Sequence, residues 1–120
     1  MMDQPSAVEL VKAVQAFIET RAMPELKGHT AFHARVAANV LAIVARQLEQ
    51  GPASDAAELI RLQTILGRTD GDLDALNREL CRLIRTGKIS TGDAALGRHL
   101  RETTVAKVQI DQPNYSGLRS

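Results

Sequence analysis

Residues 30–50 read TAFHARVAANVLAIVARQLEQ and carry the longest helical pattern of the chain. The bulky apolar residues of this segment recur at helical spacing and cover about half of a helical wheel, whereas alanine fills much of the rest. These bulky residues are Phe32, Val36, Val40, Leu41, Ile43, Val44 and Leu48. A helix that is apolar nearly all round is expected to be buried on most sides, so this segment is predicted to be the central helix. Gly51-Pro52 follows directly and is predicted to end it.

Four further segments carry apolar residues at helical spacing, and the stripes of the last three, which include Leu62, Leu76, Leu80, Leu96 and Leu100, are predicted to face the core. The first begins at a capping box made by Ser6 and Glu9, and it ends in the loop formed by Pro24 and Gly28. The others cover residues 54–66, a stretch from Asp70 or Asp72 to Gly87, and a stretch from about Asp93 to just before Pro113. The sequence therefore predicts an all-α, up-and-down bundle of four to five helices. Residues 1–120 are predicted to form a single helical domain, with 110–120 as a loosely ordered tail.

Composition argues against several classes of protein. The 120 residues carry 15 Lys+Arg against 14 Asp+Glu, so the chain lacks the basic excess on which nucleic-acid binding depends. Two Phe and one Tyr are too few for a base-stacking platform. The longest apolar run, residues 40–45, is far too short to cross a membrane. The N-terminal residues do not resemble a signal peptide, and the one cysteine forms no internal disulfide. We therefore predict a cytoplasmic protein without nucleic-acid or membrane partners.

A narrow polar stripe interrupts the central segment. Arg35, Asn39 and Arg46 lie within about 40° of one another on the wheel. The favoured interpretation is that acidic residues of neighbouring helices pair with them, because unpaired burial is expensive. The alternative is a site for a carboxylate or phosphate, which guanidinium groups bind bidentately. Arg35 and Arg46 are about 16 Å apart along the helix, too far to hold one small anion together.

Other candidates for chemistry are weaker. His33 stands four residues after His29, but Thr30 occupies the position where the zinc-protease pattern requires Glu. Lys107 is expected to extend its charge to solvent at a helix end or to pair with Asp111. Cys81 is expected to pack, and the arginines of residues 78–85 are expected to form a solvated face. Spacing assembles no Ser-His-Asp or Cys-His group, so no catalytic residue, metal or cofactor is predicted.

Two segments, AFHARVAANVLAIVAR at 31–46 and KVQIDQPNYS at 107–116, resemble a bacterial family of small helical domains of unknown function. PSAVELV at 5–11 and LNREL at 76–80 are also similar, so the resemblance spans nearly the whole chain. The family's motif residues match at His33, Arg35, Asn39, Arg46, Lys107 and Tyr115. Members are commonly encoded beside acyl-CoA dehydrogenases and aminoglycoside-phosphotransferase-like kinases. The resemblance implies an accessory protein of acyl-CoA metabolism.

Two functions follow as hypotheses. The first is a non-catalytic accessory or interaction module, predicted to be a homodimer because little core remains to surround so apolar a helix. Its further partner would be an acyl-CoA dehydrogenase or a phosphotransferase-like enzyme. The second is a binding protein or enzyme for an acidic or phosphorylated, CoA-type ligand. Arg35 and Asn39 would bind that ligand, and Arg46, His33 and Lys107 are the remaining candidates.

Overall fold

The protein is all-α, as predicted. The computed structural model describes residues 4–119, which contain helices and turns but no strand. Helix α1 spans Ala7–Phe17, α2 spans Gly28–Leu66, α3 spans Leu73–Arg85 and α4 spans Ala94–Asp111. A π-helical turn (Ile18–Ala22) and a 3-10 turn (Met23–Glu25) follow α1, and a 3-10 turn (Ser116–Arg119) follows α4. None of the described helices has the length and apolar character needed to span a membrane.

Side-chain caps begin three of the helices where the sequence predicts them. The Ser6 hydroxyl accepts a hydrogen bond from the backbone N–H of Glu9 at 3.2 Å, which begins α1. The carboxylates of Asp72 and Asp93 accept from backbone N–H groups of α3 and α4 at 2.8 and 2.9 Å. A carboxylate at this position also interacts favourably with the helix dipole. These caps confirm the predicted helix starts.

The predicted break at Gly51-Pro52 is wrong. Helix α2 continues through both residues, so the predicted helices 30–50 and 54–66 are one helix of 39 residues. A proline inside a helix removes one backbone donor and normally crowds the Cβ of the residue before it. Gly51 has no Cβ, so this second obstacle is absent. The pair is therefore compatible with a continuous helix.

The chain divides into two compact units, and α2 and α4 contribute to both. The first unit holds the residues up to Gly51 together with Ile110–Gln112. The second holds Pro52–Gln109 and the residues from Pro113 onward. In the predicted tail 110–120, Ile110 and Asp111 complete α4, and Ser116–Arg119 form a turn; residue 120 lies outside the described residues. One domain over residues 1–120 stays a prediction.

The second unit has a leucine core that follows the predicted stripes. Leu62 of α2, Leu76 and Leu80 of α3, and Leu96 of α4 are buried together. Leu100, which the pattern also assigns to the core, is 48% exposed. That prediction is wrong because α4 turns His99 and Thr103, rather than Leu100, toward Arg61 of α2.

The first unit is packed differently from the prediction. Its buried residues are small, with Ala38, Ala45 and Gly51 on α2, and Ile110 joins them from the end of α4. Of the bulky residues of α2, Leu41 and Ile43 are half-buried, whereas Phe32, Val36, Val40, Val44 and Leu48 are exposed. The N-terminal part of α2 is therefore not the buried central helix that its composition indicates.

Candidate functional site

The first candidate site is the surface that α2 leaves uncovered in the first unit. We define the bulky face as Phe32, Val36, Val40, Val44 and Leu48, which recur every four residues. Phe32 is 61% exposed and Val40 is 50% exposed, and the other three are also exposed. Side chains at intervals of four form one of the ridges by which helices pack into each other's grooves. The bulky face is thus shaped to pack against another helix.

The inward-facing side of the same helix is made of alanine. Ala38 and Ala45 are buried, and Ala31, Ala34 and Ala42 are half-buried. An alanine withdraws much less apolar area from water than a valine or phenylalanine does. In the first unit the fully buried side chains of α2 are therefore alanines, Leu41 and Ile43 are half-buried, and the five residues of the bulky face are left in solvent.

Helix α1 also exposes bulky apolar residues. Its residues Leu10, Val14 and Phe17, which we name the α1 stripe, lie at helical spacing on one side, and all three are exposed. If a fully exposed side chain of this size presents about 150 Å², the lower end of the range for aromatic residues, the α1 stripe and the bulky face together expose roughly 600 Å². The largest apolar patch of a typical monomer is about 300–600 Å² and is often functional. The summed area reaches the upper end of that range, so the two surfaces are a candidate interaction site.

Two polar contacts hold the first unit together. The Lys12 ammonium lies 2.8 Å from a carboxylate oxygen of Glu49, joining α1 to α2. The half-buried Arg46 donates from Nε to the backbone carbonyl of Ile110 at 2.6 Å. That carbonyl belongs to the last turn of α4, where helical carbonyls lack helical partners. Arg46 therefore caps the end of α4. The sequence had led us to expect that it pairs with an acidic side chain, and among the described residues this expectation is wrong.

Arg35 and Asn39 have a different environment from Arg46. Both are exposed, and within residues 4–119 no hydrogen bond or ion pair reaches either side chain. Within the described residues, the expectation that acidic residues of neighbouring helices pair with Arg35 and Asn39 is wrong, because these two members of the stripe border the exposed bulky face and lie in solvent.

The remaining predicted residues are His33 in the first unit and Lys107 in the second. His33 is exposed, and its ring contacts that of Phe32 edge-on at 5.5 Å between centroids. Lys107 is exposed, with no ion pair among the described residues. Within the first unit, no hydrogen bond or ion pair between described side chains joins any two of Arg35, Asn39, Arg46 and His33. Nowhere in residues 4–119 do three His, Cys, Asp or Glu side chains converge as a metal site would require.

Helix α3 has the solvated basic face that its sequence predicts. Arg78 pairs with Asp74 at 3.1 Å, and Arg82 pairs with Glu79 at 2.7 Å, along the same helix. Cys81, expected to pack, is exposed instead. Exposed pairs of this kind contribute little to stability, because water and salt screen them. Nothing about this face points to a ligand.

A polar cluster in the second unit was missed by sequence analysis. Arg61 of α2 donates from Nε to Nδ1 of His99 at 3.2 Å and from a terminal nitrogen to the Thr103 hydroxyl at 3.0 Å. Its Nε also lies 3.3 Å from a carboxylate oxygen of Glu102. Arg61 lies about forty residues from its partners in sequence, so residue spacing alone could not predict that they contact one another. The available signal was that His99 and Thr103 occupy helical positions next to the core residue Leu96.

His99 is the one buried charged or polar residue in the described part of the chain, at 2% exposure. Burial, and then the positive charge of Arg61, lower the pKa of His99 below its ordinary value. Because Nδ1 accepts the hydrogen bond from Arg61, the neutral ring carries its proton on Nε2. His99 thus serves as a neutral hydrogen-bond acceptor that helps to orient Arg61.

An open cleft of about 210 Å³ lies beside this cluster, between α2 and α4 of the second unit. Besides Arg61 and His99, it is lined by Ile60, Thr64, Ile65, Ala95, Arg98 and Glu102. Apolar and charged side chains thus share one small concave surface, which is the composition typical of small-molecule sites.

Comparison with known protein families identifies one that covers most of the chain. The model of the family described as domain of unknown function (DUF6285) matches residues 24–115, and the chain belongs to this family. No curated protein and no solved structure shows significant similarity to the chain.

Proposed function

We propose that this member of the DUF6285 family is a non-catalytic interaction module that forms a homodimer through the bulky face and the α1 stripe. The observation that carries the proposal is the inverted packing of α2. Its alanines Ala38 and Ala45 are buried within the first unit, whereas Phe32 and Val40 are at least half exposed. The burial of exposed apolar area makes the main favourable contribution to the free energy of protein association.

The size of this surface supports an interface. Each copy contributes roughly 600 Å², so two copies would bury roughly 1,200 Å², at the lower end of the standard range for specific interfaces. Flanking polar side chains add to this area at the rim. Packing contacts in crystals mostly bury less than about 800 Å² in total, so the proposed interface would be larger than such contacts.

A second copy of the chain is the occupant that the geometry favours. A ridge of side chains at intervals of four fits the groove between the same ridges of an identical helix, at a crossing angle of about −50°. In a two-fold dimer the same patch serves both partners, so the patch must complement itself.

The charges on the two helices and the turn after α1 are compatible with that symmetry. Cations Arg21 and Arg35 and anions Glu9 and Glu25 are exposed, and none forms an ion pair with a described residue. Because both signs occur on the same unit, an identical copy offers each charge an opposite one. Self-pairing at the rim is thus electrostatically favourable.

The resemblance to a family encoded beside acyl-CoA dehydrogenases and phosphotransferase-like kinases extends the proposal. The dimer would act as an accessory to an enzyme of acyl-CoA metabolism. The alternative, in which Arg35 and Asn39 bind a CoA-type anion, draws support only from their exposure.

Sedimentation equilibrium of the wild type and two variants tests self-association. Val40→Lys places a charge in the centre of the bulky face. Val105→Lys is the matched control, because Val105 is an exposed valine of the second unit. The wild type and the control should approach twice the chain mass of 13.0 kDa, whereas Val40→Lys should remain at 13.0 kDa.

The protein concentration should extend over about 1–100 µM, where dimers of ordinary affinity form. A wild type that remains monomeric throughout this range would overturn the proposal. Equal dissociation of the two lysine variants would also overturn it, because a charge outside the bulky face would then be just as effective.

A further inference from the structure

The cleft between α2 and α4 contains a guanidinium group that is already oriented. Arg61 contacts His99, Thr103 and Glu102, and its side chain is 24% exposed. An arginine held by several acceptors has lost most of its rotational freedom before any ligand arrives. The positive charge of Arg61 is therefore held in place at the cleft, with Nε and one terminal nitrogen already engaged.

A second guanidinium in the cleft has no partner. Arg98 precedes Glu102 by four residues on α4, a spacing at which opposite charges on a helix usually pair. Glu102 instead lies 3.3 Å from Arg61. No hydrogen bond or ion pair reaches the Arg98 side chain from residues 4–119, and Arg98 is exposed at the cleft.

The charges of the cleft therefore do not balance. Arg61 and Arg98 carry two positive charges, and Glu102 carries one negative charge. His99 adds none at neutral pH, since burial keeps its pKa low. Of the other lining residues, Ile60, Ile65 and Ala95 are apolar, and the hydroxyl of Thr64 is donated to the Ile60 carbonyl at 3.0 Å. Among the lining residues one positive charge is thus in excess beside an apolar wall, and the nearby Glu58, whose charge also reaches His99, accepts a hydrogen bond from Asn77 at 3.0 Å.

We propose that this cleft binds a short-chain aliphatic carboxylate, with the carboxylate on Arg98 and the hydrocarbon chain against Ile60 and Ile65. Guanidinium is the preferred partner of a carboxylate because the two groups form parallel hydrogen bonds. The cleft volume of about 210 Å³ lies below the roughly 300–1,000 Å³ of sites for drug-sized ligands. It therefore suits a short hydrocarbon chain. This site lies wholly in the second unit, so it is independent of the proposed dimer surface.

Titration with hexanoate, followed by NMR of the methyl groups of Ile60, Ile65 and Ala95, tests the site. Hexylammonium and 1-hexanol are the comparison probes, because they keep the hydrocarbon chain and change only the polar end. Hexanoate should shift these methyl resonances with saturation, at a Kd of about 1 mM, as expected for so small a ligand. Hexylammonium should cause no saturable shift, and 1-hexanol should bind at least about tenfold more weakly, since a charge-assisted contact is lost.

Two variants assign the contact to Arg98. Arg98→Gln should weaken hexanoate binding by about tenfold or more, whereas Arg101→Gln, at an exposed arginine of the same helix outside the cleft, should leave it unchanged. Both side chains are exposed, so the circular dichroism of the variants should match that of the wild type. Binding that Arg98→Gln leaves intact, or equal binding of all three probes, would overturn the proposal. So would a hexanoate titration without saturation.

Discussion

Replacing Pro52 by alanine should stabilise the protein. Because α2 runs from Gly28 to Leu66, residue 52 lies in a helix interior. There a proline removes the N–H that would donate to the carbonyl of Leu48, four residues earlier, and its ring crowds that carbonyl. Alanine restores the donor and removes the ring. Pro52 is exposed, so the substitution loses no core packing.

The expected gain follows from helix propensity. Proline is about 3 kcal/mol less favourable than alanine in a helix interior. Gly51 already relieves part of the crowding, since it has no Cβ for the ring to meet. We therefore expect an increase of about 1–3 kcal/mol in the free energy of unfolding, which corresponds to a rise in Tm of roughly 4–12 °C for a chain of this length.

Thermal and urea denaturation, followed by far-UV circular dichroism, measure this gain. Pro113→Ala is the matched control, because Pro113 is exposed and follows the end of α4. There alanine only adds freedom to the unfolded chain, at a cost of up to about 1 kcal/mol. If Gly51-Pro52 instead ended one helix before another began, Pro52→Ala would behave like this control. Unchanged or reduced stability of Pro52→Ala would therefore refute the continuous helix.

Three further predictions concern single side chains. Leu80→Ala should reduce the free energy of unfolding by about 2–5 kcal/mol, because Leu80 is buried in the leucine core; a loss below about 0.5 kcal/mol in urea denaturation would contradict that core. Arg35→Ala should change stability by no more than about 0.5 kcal/mol, since Arg35 is exposed and unpaired within residues 4–119; a loss of several kcal/mol would reveal a buried partner. Because the pKa of His99 in the folded state lies below the ordinary 6.5, the unfolded chain binds a proton that the folded chain does not. Wild-type stability should therefore fall as the pH drops below about 6.5, and His99→Gln should lack this part of the loss in denaturation series at several pH values; identical pH profiles would show that His99 is not held neutral.

Local signals in the sequence were sufficient for most helix boundaries. Ser6, Asp72 and Asp93 are caps whose oxygen lies within three residues of the N–H that it accepts, so sequence spacing alone specifies the contact. Gly67 and Gly87 adopt positive φ angles of 64° and 77° after α2 and α3, as expected of glycines that end helices. The break at Gly51-Pro52 was wrong because the same two residues also fit a helix when the glycine comes first.

The candidate sites depended on contacts that sequence spacing cannot specify. The polar stripe was identified from the sequence, but its residues have different environments in the structure. Arg46 donates a hydrogen bond to the backbone carbonyl of Ile110, whereas Arg35 lies in solvent. The cluster of Arg61 and His99 was not found, since it joins helices that are distant in sequence. The cleft beside it was missed for the same reason.

The sequence by itself determined that the described chain is helical, where most of its helices begin and end, and that Leu62, Leu76, Leu80 and Leu96 form a core. Those properties follow from interactions within one or two helical turns and from apolar periodicity. Only the tertiary structure decided which side of α2 is buried in the first unit. A helical wheel shows that both the alanine side and the bulky side are apolar, and hydrophobicity alone would bury the larger residues. Close packing of neighbouring segments against Ala38 and Ala45 instead leaves Phe32 and Val40 in solvent, because the choice depends on shape as well as on apolar area.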